Sequence, residues 1–267
     1  MTLPPLPSPA ESADADMDRA PFALVVNGPS SAGKSTLCTA LHRALVRRCA
    51  TDPRLAFFRV SFDDFLYAVH PSMLPRSFLE LTGGDLEGCA SREPHDGLAC
   101  FEYVDMTGAD DEDTTDRLAR LELSETGERF LKGQTAGWGK HLELGTNLLI
   151  DAFLQEKHWA DDLREAIHTS GAKVINVVMT CNQAELERRE KQRGDRFPGM
   201  ARHSAGVVRR CPIGQDSVLV VYIDETISTD DAVNDILHHL DKMEASVNIT
   251  LMGFRTTTGF RTQTLTQ

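Results

Sequence analysis

The chain's 267 residues suffice for one α/β domain of about 200 residues plus extensions, and 41% hydrophobic and 25% charged content are ordinary for a globular protein. A net charge of −12 argues against a nucleic-acid backbone or an anionic membrane as the main partner. The six cysteines form no C-x-x-C pair and no histidine cluster completes a zinc pattern. Free thiols in a reducing compartment are therefore expected, and with no secretory leader and no apolar run of transmembrane length the expected location is cytoplasmic.

Residues 1–20 are rich in Pro, Ala, Ser and Asp without periodicity and read as a disordered leader; the core domain is expected over 21–245. It opens on Ala23-Leu24-Val25-Val26, a short apolar run of the kind that forms a buried parallel strand. Gly28-Pro29-Ser30-Ser31-Ala32-Gly33-Lys34-Ser35 follows and fits G-x-x-x-x-G-K-[ST] at every defined position. Leu37, Leu41, Ala44 and Leu45 then recur at helical spacing. A Gly/Ser-rich turn could match the pattern by accident, but strand before and helix after are what the motif requires. Gly28 and Gly33 let the backbone curl so that the amides of Ser30, Ser31, Ala32, Gly33, Lys34, Ser35 and Thr36 line a phosphate chain at a helix N-terminus. Lys34 is placed for the β- and γ-phosphates and the Ser35 hydroxyl for Mg²⁺, so the loop predicts a bound nucleoside triphosphate.

Residues 55–60 form the second predicted strand, ending at Asp63-Asp64. Ligands of open parallel sheets sit beyond the carboxyl ends of strands, so one carboxylate is expected to face the phosphate loop and accept a proton, while the other caps the next turn. Residues 76–126 read as an acidic, solvated insertion near the acceptor side, with Leu118, Leu121 and Leu123 open between strand and helical turn. Residues 127–144 resume a helical pattern, with glycines that count against its continuity, and Gly145 fits its stop.

The apolar strand 147–150 runs into Asp151, the local form of a second P-loop element whose carboxylate holds Mg²⁺. A helix over 159–167, a strand over 172–180 and a charged helix over 183–192 lead to the arginine-dense stretch 193–199. Arg193 and Arg196 there suit a lid that stabilises transferring phosphate, the plainer alternative being a surface salt-bridge cluster with Glu187 and Glu190. The fifth strand, 217–223, precedes Asp224-Glu225-Thr226 and an amphipathic helix with Ala232, Val233, Ile236, Leu237 and Leu240 on its core face. Residues 246–267 are Thr-rich and read as a tail. The elements predict an α/β fold: a P-loop kinase-like three-layer sandwich with a mainly parallel five-stranded sheet.

Four stretches together resemble the chloramphenicol phosphotransferase-like family of P-loop kinases: VVNGPSSAGKST at 25–36, VSFDDFL at 60–66, GTNLLIDAFL at 145–154 and CNQAELERREKQRGDRFPGMA at 181–201. The last is the most discriminating. The resemblance implies ATP- and Mg²⁺-dependent transfer of the γ-phosphate to a small-molecule hydroxyl, with Asp63 as base and Asp64 second, Lys34 and Ser35 on phosphate and metal, and Arg193 and Arg196 in the lid. The length and acidity of 76–126, and the departure of 202–216 from the family's lead into its last strand, leave the acceptor open, as is the oligomeric state. A nucleoside or nucleotide kinase is the alternative enzyme reading, with Phe65, Tyr67 and Phe78 available for base stacking. An ATP- or GTP-binding switch with little turnover is the alternative of another class, although no N-K-x-D guanine-reading motif is present.

Overall fold

The structure is a computed structural model that describes residues 20–64, 68–69, 73–75, 78, 99–107, 118–193, 197–207, 218–222 and 228–255. The predicted leader (1–20) lies outside these residues apart from Ala20, as do Phe65, Tyr67, Arg196, Asp224, Glu225 and the last part of the tail. A five-stranded sheet in the order β2-β5-β1-β6-β7 is parallel throughout. Its strands are β1 (Phe22–Asn27), β2 (Phe57–Ser61), β5 (Asn147–Ala152), β6 (Lys173–Thr180) and β7 (Val218–Tyr222). β1, at the centre, is buried at every position, which explains its continuous apolar run rather than an alternation.

Helices cover both faces. On one, Ala23, Val25, Leu148 and Ile150 pack with Trp138 and Leu142 of α2 (Glu125–Glu143) and Trp159 and Leu163 of α3 (Lys157–Thr169). On the other, Leu24, Val26, Ile175 and Val177 meet Leu37, Leu41 and Leu45 of α1 (Lys34–Cys49) and Val233, Ile236 and Leu240 of α6 (Thr229–Arg255). The predicted three-layer sandwich is the observed one. Asn147 closes its lower end: its Oδ1 accepts from the Phe22 amide at 2.9 Å and its Nδ2 donates to the carbonyls of Arg54 and Ala56 at 2.8 and 3.1 Å. No helix among the described residues is long and apolar enough to cross a membrane.

One element differs from the expectation. The stretch read as a solvated insertion contains an antiparallel hairpin, β3 (Phe101–Asp105) and β4 (Ala119–Leu123), with Phe101, Ala119 and Leu121 buried in the core. Its alternation is short and flanked by charge, so the pairing of residues far apart in sequence supplies what the local pattern lacks. The helix expected over 127–144 is α2, continuous through its glycines, two of which are contact positions. A Cβ at Gly127 would meet the Cys100 carbonyl, and one at Gly139 would lie 3.1 Å from Ala166.

Candidate functional site

The phosphate loop lies between β1 and α1, at the carboxyl edge of the sheet. Ser31 takes φ 62° and Gly33 φ 88°, so two left-handed residues turn the chain into the concave, amide-lined shape that holds an anion. Gly28 is required for a different reason. A Cβ there would sit 2.9 Å from the Met179 side chain and 3.0 Å from its carbonyl, so only glycine lets the loop lie on β6. Asn27 shapes the entry, its Oδ1 accepting from the amides of Gly28 at 2.9 Å and Leu154 at 3.3 Å. The Lys34 ammonium donates to the Pro29 carbonyl at 2.9 Å and stands 5.2 Å from the Phe153 ring centre.

One crevice gathers most of the residues singled out from the sequence. Ser30, Ser31, Gly33, Lys34, Ser35 and Thr36 form its floor, Asp63, Asp151 and Arg193 its charged walls, and Tyr103, Leu121, Phe62, Phe153 and Met200 its apolar side. Among the predicted loop residues, Gly28 and Ala32 do not line it; Arg196 is outside the described residues.

The acidic pair divides. The Asp64 carboxylate turns back to accept from the Ser61 amide at 2.7 Å, whereas Asp63 lines the crevice. The turn is fixed by further bonds: Asp63 N–H to Ser61 Oγ at 3.2 Å, Gln134 Nε2 to the Ser61 carbonyl at 3.1 Å and Phe62 N–H to the Asp151 carbonyl at 2.9 Å. The ends of β2 and β5 are therefore one unit carrying both acids.

Asp151 has a partner that the sequence did not signal. Arg59 of β2 places Nη2 3.2 Å from Asp151 Oδ2 and donates through Nη1 to Thr39 Oγ1 at 2.8 Å; Thr39 in turn donates to the Ser35 carbonyl at 2.7 Å. One guanidinium thus joins the strand-end carboxylate to the first turn of α1. Cys38 is buried beside this group; burial pushes its thiol well above the usual range, the Asp151 charge adds to this, and Arg59 and Lys34 oppose it.

The arginine segment also departs from a simple surface cluster. Glu187 does pair with Arg202 at 2.8 Å, but Glu190 is buried and its carboxylate accepts the amides of Gly199 and Ala201 at 2.8 and 2.7 Å. Phe78, a candidate for base stacking, is packed edge-on against Phe101 with centroids 5.3 Å apart. No group of three or more His, Cys, Asp or Glu that could hold a metal occurs among the described residues.

The family model for chloramphenicol phosphotransferase-like proteins matches residues 23–240, from the first strand into the last helix. The chain belongs to this family. It is accordingly a kinase-type phosphotransferase with a nucleotide-binding P-loop. No curated protein matches the sequence. Among solved structures, the chain is similar to a putative kinase from Chloroflexus aurantiacus J-10-fl, with 15% identity over 84% of this chain and 98% of that one and a TM-score of 0.49. A gluconokinase from Sinorhizobium meliloti 1021 gives 15% identity over 87% and 98%, TM-score 0.45. The APS kinase of Mycobacterium tuberculosis, solved with AMPPNP and APS, gives 13% over 83% and 98%, TM-score 0.46.

Proposed function

We propose that the protein transfers the γ-phosphate of ATP to a hydroxyl group of a small molecule, with Asp63 as the general base. The observation that carries this reading is the sharing of one crevice by Lys34, Ser35, Asp63, Asp151 and Arg193, while Asp64 is engaged by the Ser61 amide. The acceptor oxygen forms a bond to the γ-phosphorus, the bond from that phosphorus to the β–γ bridging oxygen breaks to release ADP, and the hydroxyl proton passes to the Asp63 carboxylate. Lys34 and the amides of Gly33, Lys34 and Ser35 hold the phosphate chain, the Ser30 and Ala32 amides being engaged by Ser204 Oγ and the Pro29 carbonyl, and Arg193 neutralises charge on the transferring group.

The donor set fits the ligands this chemistry needs. The buried Ser31 Oγ has no partner among the described residues, as suits a loop built around an anion. Ser35 and Asp151 would hold Mg²⁺; two protein oxygens, with phosphate and water completing the shell, are what a kinase metal takes. When bound, Mg²⁺ neutralises phosphate charge. The acceptor is proposed to enter against Tyr103 and Leu121, which face each other across the β3–β4 hairpin and line the crevice with Asp63. On this reading the β3–β4 hairpin belongs to the acceptor side, in keeping with the expectation for 76–126.

Incubation with Mg²⁺-ATP and a panel of hydroxylated small molecules, nucleosides and nucleotides, followed by mass spectrometry, tests the reading. A phosphorylated non-nucleoside product is expected. Product from nucleosides or nucleotides alone would replace the reading with a nucleoside or nucleotide kinase, and no product from any compound would replace it with a nucleotide-dependent switch.

A further inference from the structure

Glu190 lies on α4 (Gln183–Arg193), one turn before the crevice residue Arg193, and is only 6% exposed. A carboxylate so buried needs strong partners, and it has them in the backbone of the next helix, α5 (Met200–Val207). Oε2 accepts the Gly199 amide at 2.8 Å and Oε1 the Ala201 amide at 2.7 Å, so Glu190 caps α5 from a neighbouring helix. Gly199, at φ 95°, makes the turn that presents these amides together.

One turn further on, the buried Ser204 Oγ accepts from the Ser30 amide of the phosphate loop at 2.9 Å and donates to the Met200 carbonyl at 2.7 Å. Phe197, just before α5, stacks on Tyr103 with centroids 5.2 Å apart and 19° between planes. A path of direct contacts therefore runs from Arg193's helix through Glu190 to α5, and from α5 through Ser204 to the loop.

We infer that Glu190 is a positioning residue for phosphoryl transfer: by clamping α5 to α4 it fixes Arg193 relative to the phosphate loop, with Ser204 completing the link to Ser30. The inference rests on the proposed kinase reading. Displacing a positioned group by about 1 Å can cost about 100-fold in rate, and a group that acts only in the transition state lowers kcat without weakening ground-state binding. A carboxylate that served the fold alone would change stability without separating kcat from nucleotide affinity.

Glu190→Gln is the direct test, because the amide keeps the size of the side chain but sets an NH₂ group against one of the two backbone N–H groups. Hydrolysis of Mg²⁺-ATP with water as acceptor, affinity for a fluorescent ATP analogue, and amide exchange at 199–201 are measured below the unfolding temperature. A kcat at least tenfold lower, affinity within threefold and faster exchange at 199–201 are expected. Glu190→Asp, which keeps the charge but draws the carboxylate back by one methylene from both amides, gives the same direction of split and decides the matter if E190Q does not fold. A lowered melting temperature with unchanged kcat in the folded variants overturns the inference alone; a wild type that turns over neither water nor any acceptor overturns it together with the kinase reading.

Discussion

Arg59 and Asp151 offer a quantitative test of how the strand-end acid is held. The pair is asymmetrically buried, with 28% of the Arg59 side chain and 5% of Asp151 exposed at a separation of 3.2 Å. Removing one member of a fully buried pair costs about 3–5 kcal/mol, since the other charge is left without a partner, whereas an exposed pair contributes about 0–1 kcal/mol. Arg59→Met retains the packing of the stem and deletes both the ion pair and the bond to Thr39. Because Asp151 is buried and Arg59 is about a quarter exposed, the expected loss lies between those limits, at about 2 kcal/mol, or about 4–8 °C in melting temperature for a domain of this size. Equilibrium urea unfolding of Arg59→Met, Asp151→Asn and the double variant isolates the pair from lost packing. A coupling energy of about 1–2 kcal/mol is expected. A coupling below about 0.5 kcal/mol, within ordinary additivity, would show that Arg59 does not hold Asp151 and would refute the network.

Other expectations follow from single positions. Gly127→Ala would drive a methyl into the Cys100 carbonyl and is expected to destabilise by about 3 kcal/mol; a melting temperature within about 2 °C of wild type would show that α2 and β3 do not approach as described. His203 is held below its usual range mainly by burial and then by the Arg120 charge, with Glu156 opposing. Its folded state therefore binds fewer protons than the unfolded chain, so stability falls as pH drops below about 6.5, and His203→Gln should flatten that limb in pH-dependent melts. Glu185 is drawn down to about 2 by hydrogen bonds from Arg188 and Arg189. Its contribution is therefore present above its unfolded value of 4.5 and lost as pH falls through about 2, so a Glu185→Gln deficit in stability seen at neutral pH should disappear in strong acid.

What could be read from the residues was set by how local the cause is. The phosphate loop is legible because its glycines, lysine and serine act within eight consecutive positions, and the central strands because burial on both faces demands an unbroken apolar run. The position of Asp151 in the crevice is legible once the loop is in hand, since the strand it ends runs beside β1. The hairpin was not, because Tyr103 meets Leu121 only through pairing across a long charged connection. Arg59 carries no signal of its own within β2; its purpose lies in Asp151 and Thr39, both remote in sequence. Glu190, which enters the sequence reading only through the alternative of a surface cluster, is hidden for a related reason. It sits among charges that are solvated, and only the fold of the following segment brings two amides to it. The glycines of α2 count against a helix when only the residues are read, whereas Gly127 and Gly139 are where neighbouring elements pack closely.

The central claim is that the carboxylate facing the phosphate loop takes the acceptor's proton, and Asp63→Asn addresses it most directly. Phosphorylated product and ATP affinity are measured side by side, with Asp64→Asn as the companion variant. The account predicts that Asp63→Asn lowers transfer by about 100-fold or more with ATP affinity nearly unchanged, and that Asp64→Asn acts chiefly on stability. Transfer that survives in Asp63→Asn and is lost in Asp64→Asn would contradict it.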